Sequence, residues 1–409
     1  MHRLALAGLL PVLFAAPGGA QGPPTITEDE FLAVLDESHP AVRDSSEALA
    51  VARARVVEAA TLENPVVGVE REDPRGAGEQ TDWTISWQLP EAGRRREIGA
   101  LEEEADAVAT RLSQQLLALR LTMREVYAEW ALAEARQSRL SAQAGRVEAL
   151  AVRETARAER GESSGVEAHR LELAATALRS RVTLAAAAGE RARAEATGWF
   201  PALPPDVRPV LPALPPAPEL DADHPLVRAA EADLAATLLE RRAAGRFVAS
   251  PEIALGWQRQ EAGSESIEGP ILGLAWSVPF FDRNRAERAD ADARIAGARA
   301  RLELVRRDVG AARAAARAVF ERLAAGLGDA AAALVASERM LDGAEAAFRH
   351  GETSLTDLLE THRSVTEAEL AVLDVHEAAL AAHRELERLA GAGGATGDPA
   401  IPSPQEKPR

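Results

Sequence analysis

The stretch GLAWSVPFFDRNRAERADADARIAGARARL, residues 273–302, changes its hydrophobic period near its middle. Up to Pro279, large apolar and small residues alternate, which is typical of a strand with one buried face. After Asp282, an Ala-, Arg- and Glu-rich helical pattern begins. Residues 82–112, DWTISWQLPEAGRRREIGALEEEADAVATRL, make the same change. The sequence therefore predicts, at two places, a strand that continues almost directly into a long helix.

The chain is an internal duplication. Three motifs occur twice in the same order, about 185 to 190 residues apart: SHPAVR at 38–43 and DHPLVR at 223–228, WQLP at 87–90 and WSVP at 276–279, and ERGESS at 159–164 and RHGETS at 349–354. This period is far longer than that of a solenoid repeat. We therefore predict two copies of one large structural unit.

Several segments are predicted along the 409 residues. Residues 1–20 combine a basic start, an apolar run and a small-residue cleavage site, which indicates a secretory signal peptide. The Pro-rich residues 200–218 predict an extended linker, and residues 391–409 a disordered tail. The first repeat, 21–199, and the second repeat, 219–390, occupy the remainder.

Each repeat is predicted to contain a helix, a β-hairpin, a long helix and, after a glycine turn, a last helix. The long helices, about 93–160 and 282–350, would each reach about 100 Å at 1.5 Å per residue. The two shorter helices of a repeat, stacked end to end, would form a second strut of similar length. The predicted bounds of the other elements are 28–62, 65–90 and 164–197 in the first repeat, and 219–247, 251–279 and 354–389 in the second.

Composition limits the chemistry and the partners. The formal net charge of −17 argues against a nucleic-acid partner, and the absence of cysteine excludes disulfides. No catalytic constellation, phosphate-binding loop or soft-ligand cluster is found, so we predict neither an enzyme nor a cofactor or metal site. His39 and His224 precede proline at matching helix starts, and both are interpreted as structural.

The predicted strands place tryptophan on one face. Trp83 and Trp87 alternate with polar residues in the first repeat, and Trp257 and Trp276 lie on the strands of the second. Strands of about nine residues fit a tilted membrane-spanning strand, and aromatic girdles mark both interfaces of such barrels. We therefore predict that these four side chains face lipid. The alternative is a water-facing sheet with its other face packed on a soluble core.

A sheet of four strands cannot remain open in lipid. Each unpaired backbone group at its two edges would cost several kcal/mol, and closed membrane barrels begin at about eight strands. Several copies of the chain must therefore pool their strands, so that one closed barrel continues as one helical tube. The competing hypothesis is a soluble periplasmic coiled-coil adaptor or scaffold protein. Fractionation with the outer membrane would separate the two.

These features resemble the TolC-like outer-membrane efflux proteins. The resemblance covers nearly all of the mature chain. It rests on the duplication, on HPAVR and HPLVR, on LAWSVPFFDRNRAERADADARI at 274–295 and on AAFRHGETSLTDLLETHRSVTEAEL at 346–370. It implies a mainly α chain with a small membrane β part. Three chains would form a twelve-stranded β-barrel that continues as a periplasmic α-barrel, with the Pro-rich linker at an equatorial belt.

The same resemblance implies a function and partners. The chain would be a homotrimeric exit duct in the outer membrane, in contact with its lipid. It would work with a periplasmic adaptor and an inner-membrane transporter of the RND type. PFFDRN at 279–284 looks most like the CzcC-like and CusC-like subgroup, which implies heavy-metal cations as substrates.

Functional residues are also implied by the resemblance. Asp357 and Glu360 occupy acidic positions that ring the periplasmic entrance in the family; a solvated acidic helix face is the alternative. The turns that contain Gly161 with Ser163, and Gly351 with Ser354, would offer a docking surface for an adaptor hairpin. A basic group after the strands could pair with lipid phosphates or form ordinary salt bridges; it consists of Arg94, Arg95, Arg96, Arg283 and Arg285.

Overall fold

The structure, a computed structural model, describes residues 24–35, 39–72, 79–88, 94–220, 224–244, 252–262, 265–275 and 285–391. The predicted signal peptide and residues 392–409 of the predicted tail lie outside these ranges, as do Trp276 and Arg283.

Seven helices and six strands lie within the described ranges. The helices are α1 Glu28–Leu32, α2 Pro40–Ala60, α3 Arg94–Glu159, α4 Gly165–Trp199, α5 Pro225–Ala244, α6 Arg285–Arg349 and α7 Leu355–Ala390. The strands are β1 Thr25–Ile26, β2 Val66–Glu72, β3 Gln80–Gln88, β4 Arg208–Pro209, β5 Glu252–Ala262 and β6 Glu265–Ala275. The prediction of a mainly helical chain with a small β part is confirmed. None of these helices combines the length and the apolar composition that crossing a bilayer requires.

The two long helices form the frame of the molecule. α3 has 66 residues and α6 has 65, and both are rich in Ala, Leu, Glu and Arg, which are strong helix formers. α2 and α4 pack along α3, whereas α5 and α7 pack along α6; α3 also contacts α5 and α7. The end of α7 meets the start of α5 so closely that a Cβ on Gly391 would lie 2.6 Å from Pro225 Cδ. The shorter helices of the second repeat therefore meet end to end beside α6.

The first helix of each repeat is shorter than predicted. Residues 28–62 form two helices rather than one, because α1 ends at Leu32 and α2 begins at Pro40. A proline ring clashes with the carbonyl four residues earlier and disfavours helical backbone at the preceding residue, so a helix starts at Pro40 but cannot pass through it. The same effect starts α5 at Pro225 rather than at residue 219. The prediction of unbroken helices across these prolines was wrong.

The strands of both repeats form one antiparallel sheet. Its order is β2-β3-β5-β6, so each repeat contributes a hairpin and the two hairpins join through β3 and β5. In this register Trp83 lies opposite Trp257, and Ile85 lies opposite Leu255. β2 and β6 remain as the outer strands of the sheet in one chain.

The N-terminal segment and the linker form a belt around the middle of α3. β1 pairs in parallel with β4, which lies in the Pro-rich linker. Phe31 of α1 is fully buried against Tyr127 and Phe200, with ring centroids 5.6 and 6.3 Å away. We call this the belt cluster; its buried members are Ile26, Phe31, Leu32, Met123, Val126, Tyr127, Trp130, Ala131, Ala133, Ala192, Ala196, Leu203 and Val207. Residues 200–218 contain no helix, and their pairing with the N-terminal segment was not predicted.

Polar contacts attach the belt to α3 and α7. The Tyr127 hydroxyl lies 2.8 Å from the Ile26 carbonyl oxygen and accepts a hydrogen bond from the Val210 N–H at 3.0 Å. Burial raises the pKa of Tyr127, so the phenol remains protonated. Arg124 pairs with Glu28 at 3.0 Å and with Glu387 at 2.6 Å. His376 and His383 of α7 contact the Pro212 and Pro216 carbonyl oxygens at 2.8 and 3.0 Å.

Candidate functional site

The two glycine turns have the same geometry. Gly161 and Gly351 have φ angles of 73° and 75°, a left-handed conformation that favours glycine. In the first turn, the Glu162 N–H donates to the Arg157 carbonyl, and the Gly161 N–H donates to the Ala158 carbonyl, both at 2.9 Å. The second turn repeats both bonds with the residues 190 positions later. Both long helices therefore end in a Schellman motif, which reverses the chain into α4 and α7.

A serine caps the helix that follows each turn. Ser164, not Ser163, is the N-cap of α4, and its hydroxyl accepts a hydrogen bond from the Val166 N–H at 3.2 Å. Ser354 takes the same role in α7 and accepts from the Asp357 N–H at 3.2 Å. Ser164 therefore matches Ser354, 190 positions later, and Ser163 lies beside it in the turn. The Ser163 hydroxyl instead faces the Glu154 carbonyl oxygen at 3.4 Å.

Asp357 and Glu360 lie on the exposed side of α7 near its start. One oxygen of Asp357 accepts a hydrogen bond from the Ser354 hydroxyl at 2.7 Å, so this carboxylate also stabilises the helix start. The neighbouring Arg363 pairs instead with Glu367, at 2.9 Å. Within the described ranges, no ion pair includes Asp357 or Glu360, so both carboxylates remain available to solvent or to another chain.

An apolar cluster joins the two turns. We call it the tip cluster; its buried members are Val147, Leu150, Ala151, Leu171, Ala175, Leu355 and Leu358. These residues come from α3, α4 and α7, so the ends of both helical hairpins pack on each other. Beside it, a shallow groove on α4 is lined by Gly165, Val166, His169, Arg170 and Leu173. Val166 and Leu173 remain exposed there.

The sheet carries a continuous apolar face. The register aligns its members across all four strands: Val67, Val69, Trp83, Ile85, Trp87, Ile253, Leu255, Trp257, Pro270, Leu272 and Leu274. Trp83 and Trp257 are 43% and 48% exposed, and Leu272 is 79% exposed. Towards the hairpin loops, the same face ends in a charged row in which Arg259 pairs with Glu268 at 3.4 Å. The opposite face carries small and polar residues, such as Thr84, Ser86 and Gly256.

Trp87 lies at the helical end of this face. Its indole Nε1–H donates to the Glu63 carbonyl oxygen at 3.0 Å, next to the start of β2. An indole that is apolar on one side and hydrogen-bonded on the other is typical of a membrane–water interface. The apolar face thus has a charged boundary at one end and an amphipathic aromatic residue at the other.

Comparison with known proteins shows which family this arrangement resembles. Residues 218–392 match the family model described as "Outer membrane efflux protein". The match covers the second repeat. A 106-residue stretch is 40% identical to the nickel-cobalt-cadmium resistance protein NccC of Alcaligenes xylosoxydans xylosoxydans, which covers 25% of this chain. The chain spans only 23% of the length of that relative.

Solved channels extend the likeness to the whole fold. The structure of CusC aligns with a TM-score of 0.72 at 16% identity, over 93% of this chain and 95% of that one. The outer-membrane channel CmeC of Campylobacter jejuni aligns with a TM-score of 0.69 at 11% identity, over 91% and 87% of the two chains. At these identities the likeness shows the fold alone. The predicted resemblance to outer-membrane efflux proteins is confirmed, and the family is not enzymatic.

The basic residues that were predicted to follow the strands lie at the starts of the long helices. Arg94, Arg95 and Arg96 begin α3, the next helix after β3 along the chain, and Arg285 begins α6, the next helix after β6. The side chain of Arg285 is exposed; those of Arg94 to Arg96 lie outside the description. A helix N-terminus carries positive partial charge and disfavours cationic side chains, which therefore favour a nearby anion.

A polar interface between the repeats was not found from the sequence. Arg136 of α3 contacts Asp374 at 2.7 Å and Glu377 at 2.6 Å on α7. Arg139 contacts Glu338 of α6 at 3.5 Å. Farther towards the turns, Arg146 contacts Asp342 of α6 at the same distance. The basic residues at 136, 139 and 146 share one face of α3, and their spacing in the sequence could have shown this. The sequence could not have identified their acidic partners on α6 and α7.

Proposed function

We propose that the chain is the outer-membrane exit duct of a tripartite efflux system and acts as a homotrimer. The main support for this proposal is the uncovered apolar face of the sheet. Along the chain, the strands of this sheet are followed by helices of 66 and 65 residues. Leaving so much contiguous apolar surface in water is unfavourable, and lipid covers it without further protein. Trp83, Trp87, Trp257 and Trp276 would face that lipid.

The open sheet supports the trimer. One chain provides four strands with β2 and β6 at the edges, and three chains provide the twelve strands of a closed barrel. Closure pairs every edge, which the hydrocarbon core requires. Because α3 and α6 directly follow the sheet, closing the barrel also brings six long helices into one ring. The inward face would then be the polar one that carries Thr84 and Ser86.

Cell fractionation of the full-length chain tests this proposal against the soluble adaptor or scaffold. We expect the protein in the outer-membrane fraction, soluble only in detergent, with a mass of three chains by light scattering. A monomer in the soluble periplasmic fraction would contradict the exit duct and favour the adaptor.

The mouth of the duct would lie at the glycine turns. Asp357 and Glu360 of three chains would place six carboxylates around one axis, and such a ring attracts cations and disfavours anions. At the matching positions of the first repeat, 190 residues earlier, stand Glu167 and Arg170. The two repeats therefore differ in charge at the tip, and only the second offers an uncompensated acidic pair.

Replacing both Asp357→Asn and Glu360→Gln is expected to remove cation selectivity in planar bilayers and to weaken block by a trivalent cation added from the periplasmic side. The folded trimer should persist, because both side chains are exposed. Glu167→Gln, at the matching position of the first repeat, is the control and should retain selectivity and block. Unchanged reversal potentials in the double variant would show that these carboxylates form an ordinary solvated surface.

The partners are also part of the proposal. A periplasmic adaptor would dock its helical hairpin on the turns at Gly161 and Gly351, next to the exposed groove on α4. An inner-membrane transporter of the RND type would supply the cargo. Arg94, Arg95, Arg96, Arg283 and Arg285 would pair with lipid phosphates beneath the barrel.

Heavy-metal cations are the proposed cargo. This rests on the stretch shared with a nickel-cobalt-cadmium resistance protein and on the acidic pair at the mouth. Deleting the gene from its native host should lower the tolerated concentrations of Ni²⁺, Co²⁺ or Cd²⁺, and the full-length gene should restore them. Unchanged tolerance to these cations, together with new sensitivity to an organic compound, would redirect the proposal to organic cargo.

A further inference from the structure

A polar layer crosses the bundle between the tip cluster and the belt. Each of three helices contributes three residues spaced by three or four positions, so each set shares one helix face. The layer consists of Arg139, Gln143 and Arg146 of α3, Glu338, Asp342 and Glu345 of α6, and His362, Thr366 and Glu369 of α7. It is therefore the place where α3 of the first repeat meets both hairpin helices of the second.

The inner part of the layer, on α3 and α7, is deeply buried and incompletely hydrogen-bonded, whereas its arginines and their acidic partners on α6 are exposed. His362 and Gln143 are each 3% exposed, and Glu369 is 6% exposed. Both ring nitrogens of His362 lack a hydrogen-bond partner, as do one oxygen each of Gln143, Glu345 and Glu369. Buried polar atoms without partners cost about 1–3 kcal/mol each. This part of the interface between the repeats is consequently weaker than the apolar tip cluster next to it.

His362 lies between two opposite charges. Its Nε2 is 3.4 Å from Glu345 Oε1 of α6, and Arg146 approaches from α3. Arg146 itself contacts Asp342 at 3.5 Å. A neutral imidazole fits this buried position. An imidazolium would carry two N–H donors, of which only Nε2 faces an acceptor, and it would place a second positive charge beside Arg146.

We propose that His362 is a proton-sensitive latch between the two repeats. When its ring is neutral, α7 packs on α3 and α6. When the ring is protonated, Nε2–H can pair with Glu345, but Nδ1–H has no acceptor and needs water, so α7 separates from the layer near the tip. The consequence for conduction rests on the proposed duct function, whereas the separation of α7 does not.

The burial of His362 determines how pH changes the packing of α7. Burial first, and Arg146 second, lower the pKa of His362 from 6.5 to about 4. Above pH 6.5 the ring is neutral in both the packed and the separated state, and packing is unaffected. As pH falls from 6.5 towards 4, only the separated state takes up the proton, so separation becomes about tenfold more favourable per pH unit.

Protonation of Glu369 has the opposite effect on the packing of α7. Burial raises its pKa, so the packed state takes up a proton on this carboxyl more readily than the separated state does. Acidification therefore stabilises packing at Glu369 while it destabilises packing at His362. Removing each group separately distinguishes the two effects.

Hydrogen exchange of the purified full-length protein in detergent tests the latch. Protection factors of residues 355–369, normalised to intrinsic rates, should fall as pH is lowered from 7 to 4.5, by up to about tenfold per unit below 6.5. His362→Phe should remove this fall, and Glu369→Gln should make it steeper. His169→Phe, which removes an exposed histidine on α4, is the control and should behave as the parent chain does.

Two outcomes would overturn the latch: constant protection of the parent chain over this pH range, or an undiminished fall in His362→Phe. If His362→Phe does not form the parent oligomer, His362→Gln provides the same comparison with a polar side chain that does not titrate. Channel recordings at the same pH values then test the consequence for conduction. A chain that shows the exchange response but no conductance would contradict the duct and leave the latch intact.

Discussion

Ile85→Arg is expected to remove most of the protein from the outer membrane. Ile85 lies in the middle of the apolar face, with Val67 and Leu255 beside it on the neighbouring strands. An arginine facing lipid near the bilayer midplane costs about 2–4 kcal/mol, and a trimer would contain three of them. At about 1.4 kcal/mol per factor of ten, each copy shifts the insertion equilibrium by about 30-fold or more.

Ser86→Arg is the matched control. Ser86 is the next residue along β3 and points to the opposite, polar face of the same sheet. The same substitution should therefore be tolerated, because the guanidinium would lie in an aqueous lumen. The measurement is the amount of trimer in the outer-membrane fraction at equal expression. Equal losses for both variants would show that neither face is the lipid face.

Phe31→Ala should detach the N-terminal segment from the belt. The Phe31 side chain is fully buried between Tyr127 and Phe200, and replacing a buried phenylalanine by alanine typically costs about 3–5 kcal/mol. The rest of the segment is held by the two-residue pairing of β1 with β4, by the buried Ile26 and Leu32, and by polar contacts with α3. We therefore expect local release of residues 24–32, with the long helices intact.

Exchange protection of the Arg208 amide reports this release. Its N–H donates to the Pro24 carbonyl oxygen at 2.9 Å, a bond that exists only while the segment is docked. Phe31→Ala should reduce this protection at least 100-fold, and Phe31→Leu should reduce it much less. Leu184→Ala, at an exposed position of α4, should leave it unchanged. Full protection in Phe31→Ala would show that the linker holds its position without the N-terminal segment.

The elements with a strong local signal could be predicted from the sequence. The change from period two to a helical pattern located β3 with α3, and Gly161 and Gly351 located the reversals because a positive φ favours glycine. Alternation also assigned Trp83, Trp87 and Trp257 to one face, and the register places them there together. These features depend on residues that are close in sequence.

Features that depend on distant residues could not be predicted. The belt pairs Thr25 with Arg208, 208 − 25 = 183 positions later, and no local pattern identifies the partner of a two-residue strand. The acidic partners of Arg136 became apparent only once α7 was placed beside α3. The sequence showed that His362 lies on a predicted helix but not that it is buried, because its burial depends on the approach of two other helices.

The ion pair of Arg124 with Glu387 joins positions 263 residues apart, and His383 reaches a linker carbonyl 167 residues away. Closing such large loops is entropically costly, and folding slows as contacts become more distant in sequence. The hairpins of α3 with α4 and of α6 with α7 need only short turns. We therefore expect these hairpins to form first on the folding pathway and the belt to form last, after α7 has been synthesised. Belt closure leaves β2 and β6 as open sheet edges. If three chains close the barrel as proposed, these edges must be kept from aggregating until the trimer assembles, and that interval is the one in which a periplasmic chaperone would be most needed.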